Sequence, residues 1–320
     1  MIRILANDGI EADGLMLLEE AEYSVTTTKV PQEQLIKVLP QYDVIIVRSA
    51  TTVRKDLIDA CPNLKVIARG GVGLDNIDVE YAVSKGIKVI NTPGASTRSV
   101  AELAMAHIFA LSRFIHRSKD EMTASGSDFK KIKSNFSKGT EIANKTLGII
   151  GFGRIGQEVA KLAMGANMRI LPYDPYVEET VLHFNIFGND KLTLAVDTHT
   201  VDKDLVLANS DFISLHLPFY DGKAIIGSEE IQKMKHGTYL INTARGGAID
   251  EDALLAGLES GKISGAGLDV FVNEPEPRKE LLTHPNISVS PHIGGSTREA
   301  QEKIGIELAD SIITYLDSLK

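Results

Sequence analysis

A glycine-rich segment between an apolar run and a helical pattern constrains this chain more than any other feature. Gly151, Gly153 and Gly156 follow the apolar run 146–150 directly and precede a predicted helix at 157–164. In that setting the first glycine permits a tight turn, the second lets the backbone approach a pyrophosphate, and the third lets the helix pack close to the strand. The first turn of the helix also offers free N–H groups to negative charge. The segment therefore predicts a βαβ unit that binds a dinucleotide.

An acidic residue at the end of the next apolar run, 168–173, refines the prediction of the cofactor. The carboxylate of Asp174 is placed to accept hydrogen bonds from adenosine ribose hydroxyls, and it would repel a 2′-phosphate. NAD is therefore predicted in preference to NADP. The competing interpretation is a glycine-rich turn with an unrelated acidic residue beyond it.

Short β-branched runs alternate with helical patterns along most of the chain. Continuous apolar runs are typical of parallel strands covered on both faces, and their alternation with helices predicts an α/β fold with doubly wound sheets. The predicted strands are 1–6, 43–47, 64–68, 87–90, 146–150, 168–173, 212–215, 239–242, 265–268 and 287–290.

Two long helical patterns, 96–116 and 297–319, bracket the central part of the chain. This arrangement predicts two domains, in line with a length of 320 residues. We expect a discontinuous domain of residues 1–95 and 291–320, and a central domain of residues 96–290 that contains the glycine-rich segment.

Composition argues against several classes of function. The net charge of −9 opposes binding to nucleic acid. No apolar run reaches the roughly 18 residues that cross a bilayer, and the N-terminus has no cleavage-site pattern, so no membrane partner is expected. Cys61 is the single cysteine, which excludes an intrachain disulfide. These features indicate a cytoplasmic protein with a small-molecule substrate, and no metal site is predicted.

Three polar residues near the ends of predicted strands suit chemistry at a 2-hydroxy acid. The planar guanidinium of Arg245 is suited to two-point capture of a carboxylate. The imidazole of His292 exchanges a proton near neutral pH, and Glu274 is placed to hydrogen-bond its far nitrogen and fix its tautomer. Hydride transfer from carbon 2 needs both functions, a held carboxylate and a base for the hydroxyl proton. An ordinary loop arginine is the alternative for Arg245.

The remaining histidines carry no comparable pattern. His107 and His116 lie on a predicted helix and are interpreted as packing or surface residues. His216, at the end of a predicted strand, is a weaker candidate for a residue lining the cofactor cleft.

The whole chain resembles the D-isomer-specific 2-hydroxyacid dehydrogenases. The resemblance rests on the N-T-A-R-G-G segment around Arg245, the D-V-F-V-N-E-P segment that starts at Asp269, and the P-H-I-G-G segment around His292. It implies two Rossmann-like domains with the active site in the cleft between them, of which residues 1–95 and 291–320 would bind the substrate and residues 96–290 would bind NAD. The family is commonly dimeric, and a homodimer or homotetramer is expected.

The same resemblance assigns roles to individual residues. Arg245 would bind the substrate carboxylate and carbonyl, Glu274 and His292 would form the acid/base pair, and Asp269 would contact the nicotinamide carboxamide. The candidate NAD-binding residues are Gly151, Gly153, Arg154, Ile155, Gly156, Asp174, Ala244 and Asp269.

Within that family, the segments 47–51, 68–76 and 91–96 are most similar to the D-3-phosphoglycerate dehydrogenases. The resemblance implies NAD-dependent oxidation of 3-phospho-D-glycerate to 3-phosphohydroxypyruvate, a step of serine biosynthesis. Arg48 and Arg69 would supply positive charge to the 3-phosphate, although a structural ion pair is the alternative for Arg69. The candidate substrate-binding residues are Arg48, Ser49, Arg69, Gly71, Val72, Gly73 and Asn76, of which the glycine segment would present backbone N–H groups to the carboxylate.

Two other functions stay open. One is a related enzyme acting on glyoxylate, hydroxypyruvate or pyruvate, and the other is an NAD-sensing binding protein of the corepressor type. Because the sequence ends at Lys320, soon after its last predicted helix, no appended regulatory domain is expected. The polar stretch 176–201 is longer than usual for the family and shows no regular pattern, so no function is assigned to it.

Overall fold

The computed structural model describes residues 1–124, 128–186, 189–218 and 222–320, with backbone alone at 185–186 and 189–192. The chain divides into two compact units, Met1–Thr97 with Gly295–Lys320, and Arg98–Gly294. The predicted domain boundaries differ from these by a few residues. That the first unit binds the substrate and the second binds NAD is a prediction.

Thirteen strands and thirteen α-helices are present in the described residues, together with short 3-10 helices at Gln32–Gln34 and Leu39–Gln41. In chain order they are β1 (Arg3–Ala6), α1 (Ala12–Glu20), β2 (Ser24–Thr26), α2 (Leu35–Val38), β3 (Val44–Val47), α3 (Lys55–Asp59), β4 (Val66–Arg69), α4 (Val79–Ser84), β5 (Lys88–Asn91), α5 (Thr97–Ser112), α6 (Ile115–Ala124), α7 (Phe129–Asn135), β6 (Thr146–Ile150), α8 (Arg154–Gly165), β7 (Arg169–Tyr173), β8 (Glu179–Ile186), β9 (Asn189–His199), α9 (Lys203–Asn209), β10 (Phe212–Leu215), α10 (Ser228–Lys233), β11 (Thr238–Asn242), α11 (Glu251–Glu259), β12 (Ile263–Leu268), α12 (Lys279–Thr283), β13 (Ile287–Val289) and α13 (Arg298–Asp317).

The first unit contains a parallel sheet of five strands in the order β2-β1-β3-β4-β5. Apolar side chains cover both of its faces, with Leu5 and Ile45 in one core cluster and Ile4 and Ile46 in another. Because the strand order reverses between β1 and β3, the carboxyl ends of these two strands form a topological switch point, where α/β sheets bind ligands.

The second unit contains a parallel sheet of six strands in the order β13-β12-β11-β10-β6-β7. Two core clusters flank this sheet as well. Its switch point lies between β6 and β10, so the glycine-rich segment after β6 stands at the carboxyl edge where a dinucleotide is expected. Two parallel sheets covered on both faces confirm the predicted α/β, doubly wound fold class.

The predicted helix 96–116 is wrong in its extent. The helix α5 ends at Ser112, and Phe114 takes a left-handed backbone with φ of 58° before α6 begins. The sequence carries no glycine or proline there to announce the break. Tertiary packing supplies the reason, because the Phe114 ring packs against Phe136 at 5.8 Å and the Arg117 guanidinium lies over both rings.

The stretch 176–201, predicted to lack a pattern, forms the antiparallel hairpin β8–β9. Leu182 on β8 is fully buried and packs with partly buried Phe184 into a core cluster of the second unit, whereas Val181 is exposed. The alternation typical of a half-buried strand is therefore present. The sequence did not reveal this alternation, because charged, polar and apolar residues are mixed along both strands and do not separate into one apolar and one polar face.

None of the helices in the described ranges combines the length and apolar character needed to cross a membrane. Within the same ranges, no three His, Cys, Asp or Glu side chains are grouped to hold a metal ion. Cys61 is buried, and burial raises the pKa of its thiol to about 11, so the thiol stays protonated at neutral pH.

Candidate functional site

The glycine-rich segment is shaped by three different constraints. Gly151 has φ of +97°, and a Cβ there would lie 2.6 Å from the carbonyl carbon of His216. A Cβ on Gly156 would overlap the carbonyl oxygen of Gly151, so glycine is needed for α8 to approach the strand. At Gly153 a Cβ would meet no protein atom within 4 Å. Open space at this position is what a bound pyrophosphate requires.

The helix α8 begins at Arg154, with Gly153 as its N-cap and no side chain capping it. Arg154 and Ile155 therefore belong to the first turn, whose N–H groups have no partner within the helix. Uncapped N–H groups and the positive end of the helix dipole favour a phosphate. The residues of this loop therefore fit a dinucleotide.

Asp174, the predicted ribose ligand, has a structural role as well. Its Oδ2 accepts the N–H of Phe152 at 2.7 Å, and its Oδ1 accepts the N–H groups of Tyr176 at 2.8 Å and Val177 at 3.2 Å. The carboxylate thereby ties the glycine-rich segment to the chain leaving β7. A carboxylate has about four acceptor positions, so Asp174 retains one for a ligand.

The loop that carries Arg245 follows β11 and is held by Asn242, which is buried. The Asn242 side chain accepts the N–H of Ala244 at 3.0 Å and donates to the carbonyl of Arg245 at 2.8 Å. The Arg245 guanidinium in turn donates to the Ala244 carbonyl at 2.6 Å. A Cβ on Gly246 would overlap the carbonyl oxygen of Phe271, so the loops after β11 and β12 touch at backbone level.

Glu274 and His292 form a direct pair. Nδ1 of His292 lies 2.7 Å from Oε2 of Glu274, and Oε1 of the same carboxylate accepts the N–H of Phe271 at 2.9 Å. The carboxylate is therefore oriented by its own loop and fixes Nδ1 of His292 as the protonated nitrogen. Among the described residues Nε2 of His292 has no partner, so it is available to exchange a proton with a ligand.

Asp269 holds the backbone around His292. Its carboxylate, on a residue 1% exposed, accepts the N–H groups of Ile293 at 2.8 Å and Gly294 at 2.9 Å and the hydroxyl of Ser290 at 2.6 Å. His292 has φ of 54°, a left-handed conformation that non-glycine residues seldom adopt. The three hydrogen bonds on either side of His292 stabilise this conformation.

In the first unit, the loop after β3 is organised by Asp8, which follows β1. The Asp8 carboxylate accepts the N–H groups of Arg48 at 2.8 Å and Thr51 at 3.0 Å. Asp8, Arg48 and Ser49 line an open cavity of about 400 Å³ together with Lys29. Arg48 pairs with Glu11 at 3.1 Å and Lys29 with Asp8 at 3.7 Å. The cavity lies at the carboxyl ends of β1 and β3, the switch point of this sheet.

The predicted substrate loop 69–76 follows β4, and its backbone N–H groups differ in whether they already have a hydrogen-bond acceptor. The N–H of Gly71 already donates to Thr92 Oγ1 at 2.8 Å, whereas the N–H groups of Val72 and Gly73 have no partner in the part of the chain described. A Cβ on Gly71 would overlap the Arg69 guanidinium, which lies against this loop.

Asn76 was predicted to bind the substrate, but its side-chain amide nitrogen is used for hydrogen bonds to the backbone of a neighbouring loop. That nitrogen donates to the carbonyls of Arg48 at 2.7 Å and Thr51 at 2.6 Å. Asn76 thereby connects the loop after β4 to the loop after β3.

Comparison with known proteins identifies the family. Residues 105–294 match the domain described as D-isomer specific 2-hydroxyacid dehydrogenase, NAD binding domain. The chain is 46% identical over 319 residues to the hydroxypyruvate reductase of Thermotoga maritima, and the match covers 98% of both proteins. The chain belongs to the D-isomer-specific 2-hydroxyacid dehydrogenases.

Two further relatives extend this result. The D-3-phosphoglycerate dehydrogenase of Methanocaldococcus jannaschii is 42% identical over 313 residues, which cover 98% of this dehydrogenase and 57% of that relative. The glyoxylate reductase structure from Paecilomyes thermophila superposes with a TM-score of 0.83 at 29% identity, covering 100% of this chain and 96% of that one. The predicted enzyme class and nicotinamide cofactor are therefore confirmed, and these relatives carry different substrate names.

Sequence reasoning missed four residues of this dehydrogenase, three in the first unit and one in the second. Asp8, Lys29, Thr92 and Asn242 bind loop backbones or line the cavity. Asp8, Thr92 and Asn242 lie at or just after the end of a buried parallel strand. A polar residue at that position is a signal that sequence alone offers, because the carboxyl ends of parallel strands share one edge.

His216 is partly buried beside Gly151, with its Nδ1 shielded from solvent and its Nε2 at 2.8 Å from Ser214 Oγ. Burial lowers the pKa of His216 to about 3, so the ring is neutral in the folded protein. Below pH 6.5 the unfolded chain binds a proton at this histidine and the folded chain does not. The stability that depends on neutral His216 is thus present above pH 6.5 and is lost as the pH falls toward 3.

The thermal midpoint of this dehydrogenase is accordingly expected to fall between pH 7 and pH 5, because the contribution of His216 declines with a slope that approaches about 1.4 kcal/mol per pH unit well below pH 6.5. The variant His216→Asn should show a smaller fall over the same pH interval, measured by differential scanning fluorimetry. His236→Asn changes an exposed histidine and should keep the wild-type slope. Equal slopes in wild type and His216→Asn would contradict a neutral His216 ring in the folded protein.

Proposed function

We propose that this dehydrogenase oxidises 3-phospho-D-glycerate to 3-phosphohydroxypyruvate with NAD, by hydride transfer from carbon 2. The observation that carries the choice of substrate is the cavity at the carboxyl ends of β1 and β3, lined by Lys29 and Arg48. A hydroxymethyl group needs no cation, whereas a phosphate dianion does. Arg69, at the end of the neighbouring strand β4, adds a third cation to the same edge of the sheet.

In this proposal, Arg245 binds the substrate carboxylate and carbonyl oxygen through its planar fork. His292 removes the hydroxyl proton at Nε2 while Glu274 holds Nδ1. The N–H groups of Val72 and Gly73 add hydrogen bonds to the carboxylate. Bound NAD supplies the acceptor for the hydride, and Asp269 and Ala244 are proposed to fix its nicotinamide end.

For Arg48 to bind the 3-phosphate of the substrate, its guanidinium must exchange the carboxylate of Glu11 for the phosphate. Arg48 pairs with Glu11, whose side chain is 41% exposed, so the carboxylate can return to water when the pair separates. A phosphate offers more acceptor oxygens and more charge than a single carboxylate, so it is the stronger partner for the guanidinium. Ser49, exposed in the same loop, adds a hydroxyl donor.

The substrate is tested by steady-state rates with purified protein. We expect kcat/KM for phosphohydroxypyruvate with NADH to exceed the values for hydroxypyruvate, glyoxylate and pyruvate. Arg48→Gln should lower kcat/KM for phosphohydroxypyruvate by about 30-fold, the value of a charge-assisted hydrogen bond, and leave hydroxypyruvate reduction nearly unchanged. Equal losses on both substrates would remove Arg48 from the phosphate site.

A second candidate is reduction of unphosphorylated hydroxypyruvate. The end-to-end match with the hydroxypyruvate reductase of Thermotoga maritima favours it. Preference for that substrate in the same assay would keep the roles of Arg245 and His292 and overturn the phosphate assignment. Binding of NADH with no turnover of any keto acid would instead indicate an NAD-sensing binding protein.

Preference for NAD over NADP is proposed to depend on Asp174. We expect Asp174→Asn to lower the ratio of kcat/KM for NAD to that for NADP by about tenfold, because the variant loses the charge that repels a 2′-phosphate. The variant keeps one acceptor oxygen for the loop backbone. Glu178→Gln, which removes the same charge nearby, is the control and should keep the wild-type ratio. An unchanged ratio in Asp174→Asn would remove Asp174 from the ribose site.

We also propose that residues 1–95 and 291–320 form the substrate-binding domain, and that the protein acts in the cytoplasm as a homodimer or homotetramer. Exposed apolar side chains on α5–α7 support self-association, since α6 buries none of its residues in the single chain. They are Phe109, Ile115, Met122 and Phe129. A chain of 34.7 kDa makes monomer, dimer and tetramer separable by sedimentation velocity.

A further inference from the structure

His107, which the sequence suggested was a packing or surface residue, lies buried on α5 and is 4% exposed. It fits against β12 because that strand carries glycine at the point of contact. A Cβ on Gly267 would lie 2.6 Å from the His107 Cβ, and a Cβ on Gly265 would lie 3.1 Å from Leu111, one helical turn further. The helix and strand therefore approach closely enough for the imidazole to reach β13 and the segment after it.

Both nitrogens of this ring are hydrogen-bonded to serine side chains. Nδ1 lies 2.9 Å from Ser288 Oγ, and Nε2 lies 3.0 Å from Ser290 Oγ. The Ser290 hydroxyl itself donates to Asp269 Oδ1 at 2.6 Å. A chain of three hydrogen bonds therefore runs from Ser288 through His107 and Ser290 to the carboxylate that holds the backbone around His292.

The direction of these hydrogen bonds follows from counting protons. A serine hydroxyl has one proton, and Ser290 donates it to Asp269, so Nε2 of His107 must carry the proton that joins it to Ser290. Burial lowers the pKa of His107, although the charge of Asp269 opposes this effect, so the ring is neutral and Nδ1 accepts from Ser288. The hydrogen bonds thus all point one way, toward Asp269.

We propose that His107 is a positioning residue for the reaction, which fixes the Asp269 carboxylate through Ser290 and thereby holds the backbone of the loop that carries His292. This role rests on the proposed function of His292 as acid/base. If Ser290 lost its donor, its hydroxyl would be free to rotate away from Asp269. The carboxylate would then be held by the N–H groups of Ile293 and Gly294 alone.

A substitution that keeps both hydrogen bonds separates this role from packing. The side-chain amide of glutamine presents one donor and one acceptor on neighbouring atoms, as the neutral imidazole does, so His107→Gln should preserve the connection. His107→Leu keeps apolar contacts and removes both bonds. We expect kcat to fall by about tenfold in His107→Leu through misplacement of His292, and to recover most of that loss in His107→Gln.

Binding of NADH provides a measurement that does not depend on any substrate. The chain has no tryptophan, so the fluorescence of bound NADH is recorded without overlap from protein indole emission. Because Asp269 is proposed to contact the nicotinamide, His107→Leu should weaken NADH binding by about threefold, and His107→Gln should restore it.

A double-mutant cycle with Ser290→Ala tests the connection directly. Ser290→Ala removes the link between His107 and Asp269, so adding His107→Leu should cause little further loss of kcat, whereas independent residues give additive losses. His116→Leu is the matched control. His116 is hydrogen-bonded to the carbonyls of Ala110 and Pro285, and neither contact leads to Asp269. This control should lower the thermal midpoint and leave kcat unchanged.

Loss of kcat and NADH affinity in His107→Leu, recovery in His107→Gln and non-additivity with Ser290→Ala would support the proposal. Wild-type kcat and NADH affinity in folded His107→Leu, or additive losses with Ser290→Ala, would overturn it. If His107→Leu fails to fold, Ser290→Ala decides alone, and wild-type kcat in that variant overturns the connection. If the wild-type protein reduces no keto acid, the proposed function fails, and NADH affinity still decides the role of His107.

Discussion

Replacing His292 with asparagine is expected to lower kcat by about 10³-fold, the usual contribution of a positioned acid/base group. Asparagine is the sharpest choice because it tolerates the left-handed backbone that His292 adopts, with φ of 54°. The loop should therefore keep its shape while the proton acceptor is lost. Steady-state kcat with NADH and the preferred keto acid measures the effect.

The affinity for NADH should be the same in His292→Asn and in wild type, because the glycine-rich segment and Asp174 are untouched. His199→Asn, an exposed histidine of the β8–β9 hairpin with a side chain 70% exposed, serves as the control and should keep full activity. Loss of NADH affinity in parallel with kcat would assign His292 a structural role. Retention of kcat would place the proton acceptor elsewhere.

Replacing Arg245 with lysine is expected to lower kcat/KM by about 10²-fold. Lysine keeps the positive charge and loses the planar fork that binds a carboxylate at two points, a difference of about 2–3 kcal/mol. Because the substrate carboxylate is held in the ground state and the transition state alike, most of the loss should be in KM. Initial rates over a range of keto-acid concentrations separate the two constants.

A control for the arginine variant comes from the same loop. Asn242→Ala leaves Arg245 in place and removes the hydrogen bonds that hold its loop, to the N–H of Ala244 and the carbonyl of Arg245. Its loss should therefore appear in kcat as well as KM. An unchanged kcat/KM in Arg245→Lys would mean that a charge alone is enough and that two-point capture does not occur.

The sequence was sufficient where local chemistry dictates structure. Apolar β-branched runs such as Val44–Val47 can be buried on both faces only in a covered parallel sheet, so the fold class followed from them. Gly151 and Gly156 each meet a separate steric requirement that no other residue satisfies as well, and Gly153 leaves open space for a pyrophosphate. Glu274 and His292 are 18 residues apart in the sequence, and their predicted pairing agrees with the contact between their side chains.

The sequence was insufficient where a contact depends on distant packing. The end of α5 is set by the rings of Phe114 and Phe136 and by Arg117, none of which signals a break locally. The hydrogen bonds of His107 to Ser288 and Ser290 join positions more than 180 residues apart. They exist only because glycine on β12 lets α5 come close. Neither the helical pattern of α5 nor the strand pattern of β12 predicts this close approach.

Two different residues hold the two parts of His292, since Asp269 binds the neighbouring backbone and Glu274 binds the ring. For enzyme design this means that the loop does not depend on an imidazole to keep its shape. A designer who wants another reaction in this scaffold can exchange the side chain at that position without rebuilding the loop. The choice is narrowed to residues that accept a left-handed backbone, with asparagine, aspartate and glycine the easiest to accommodate.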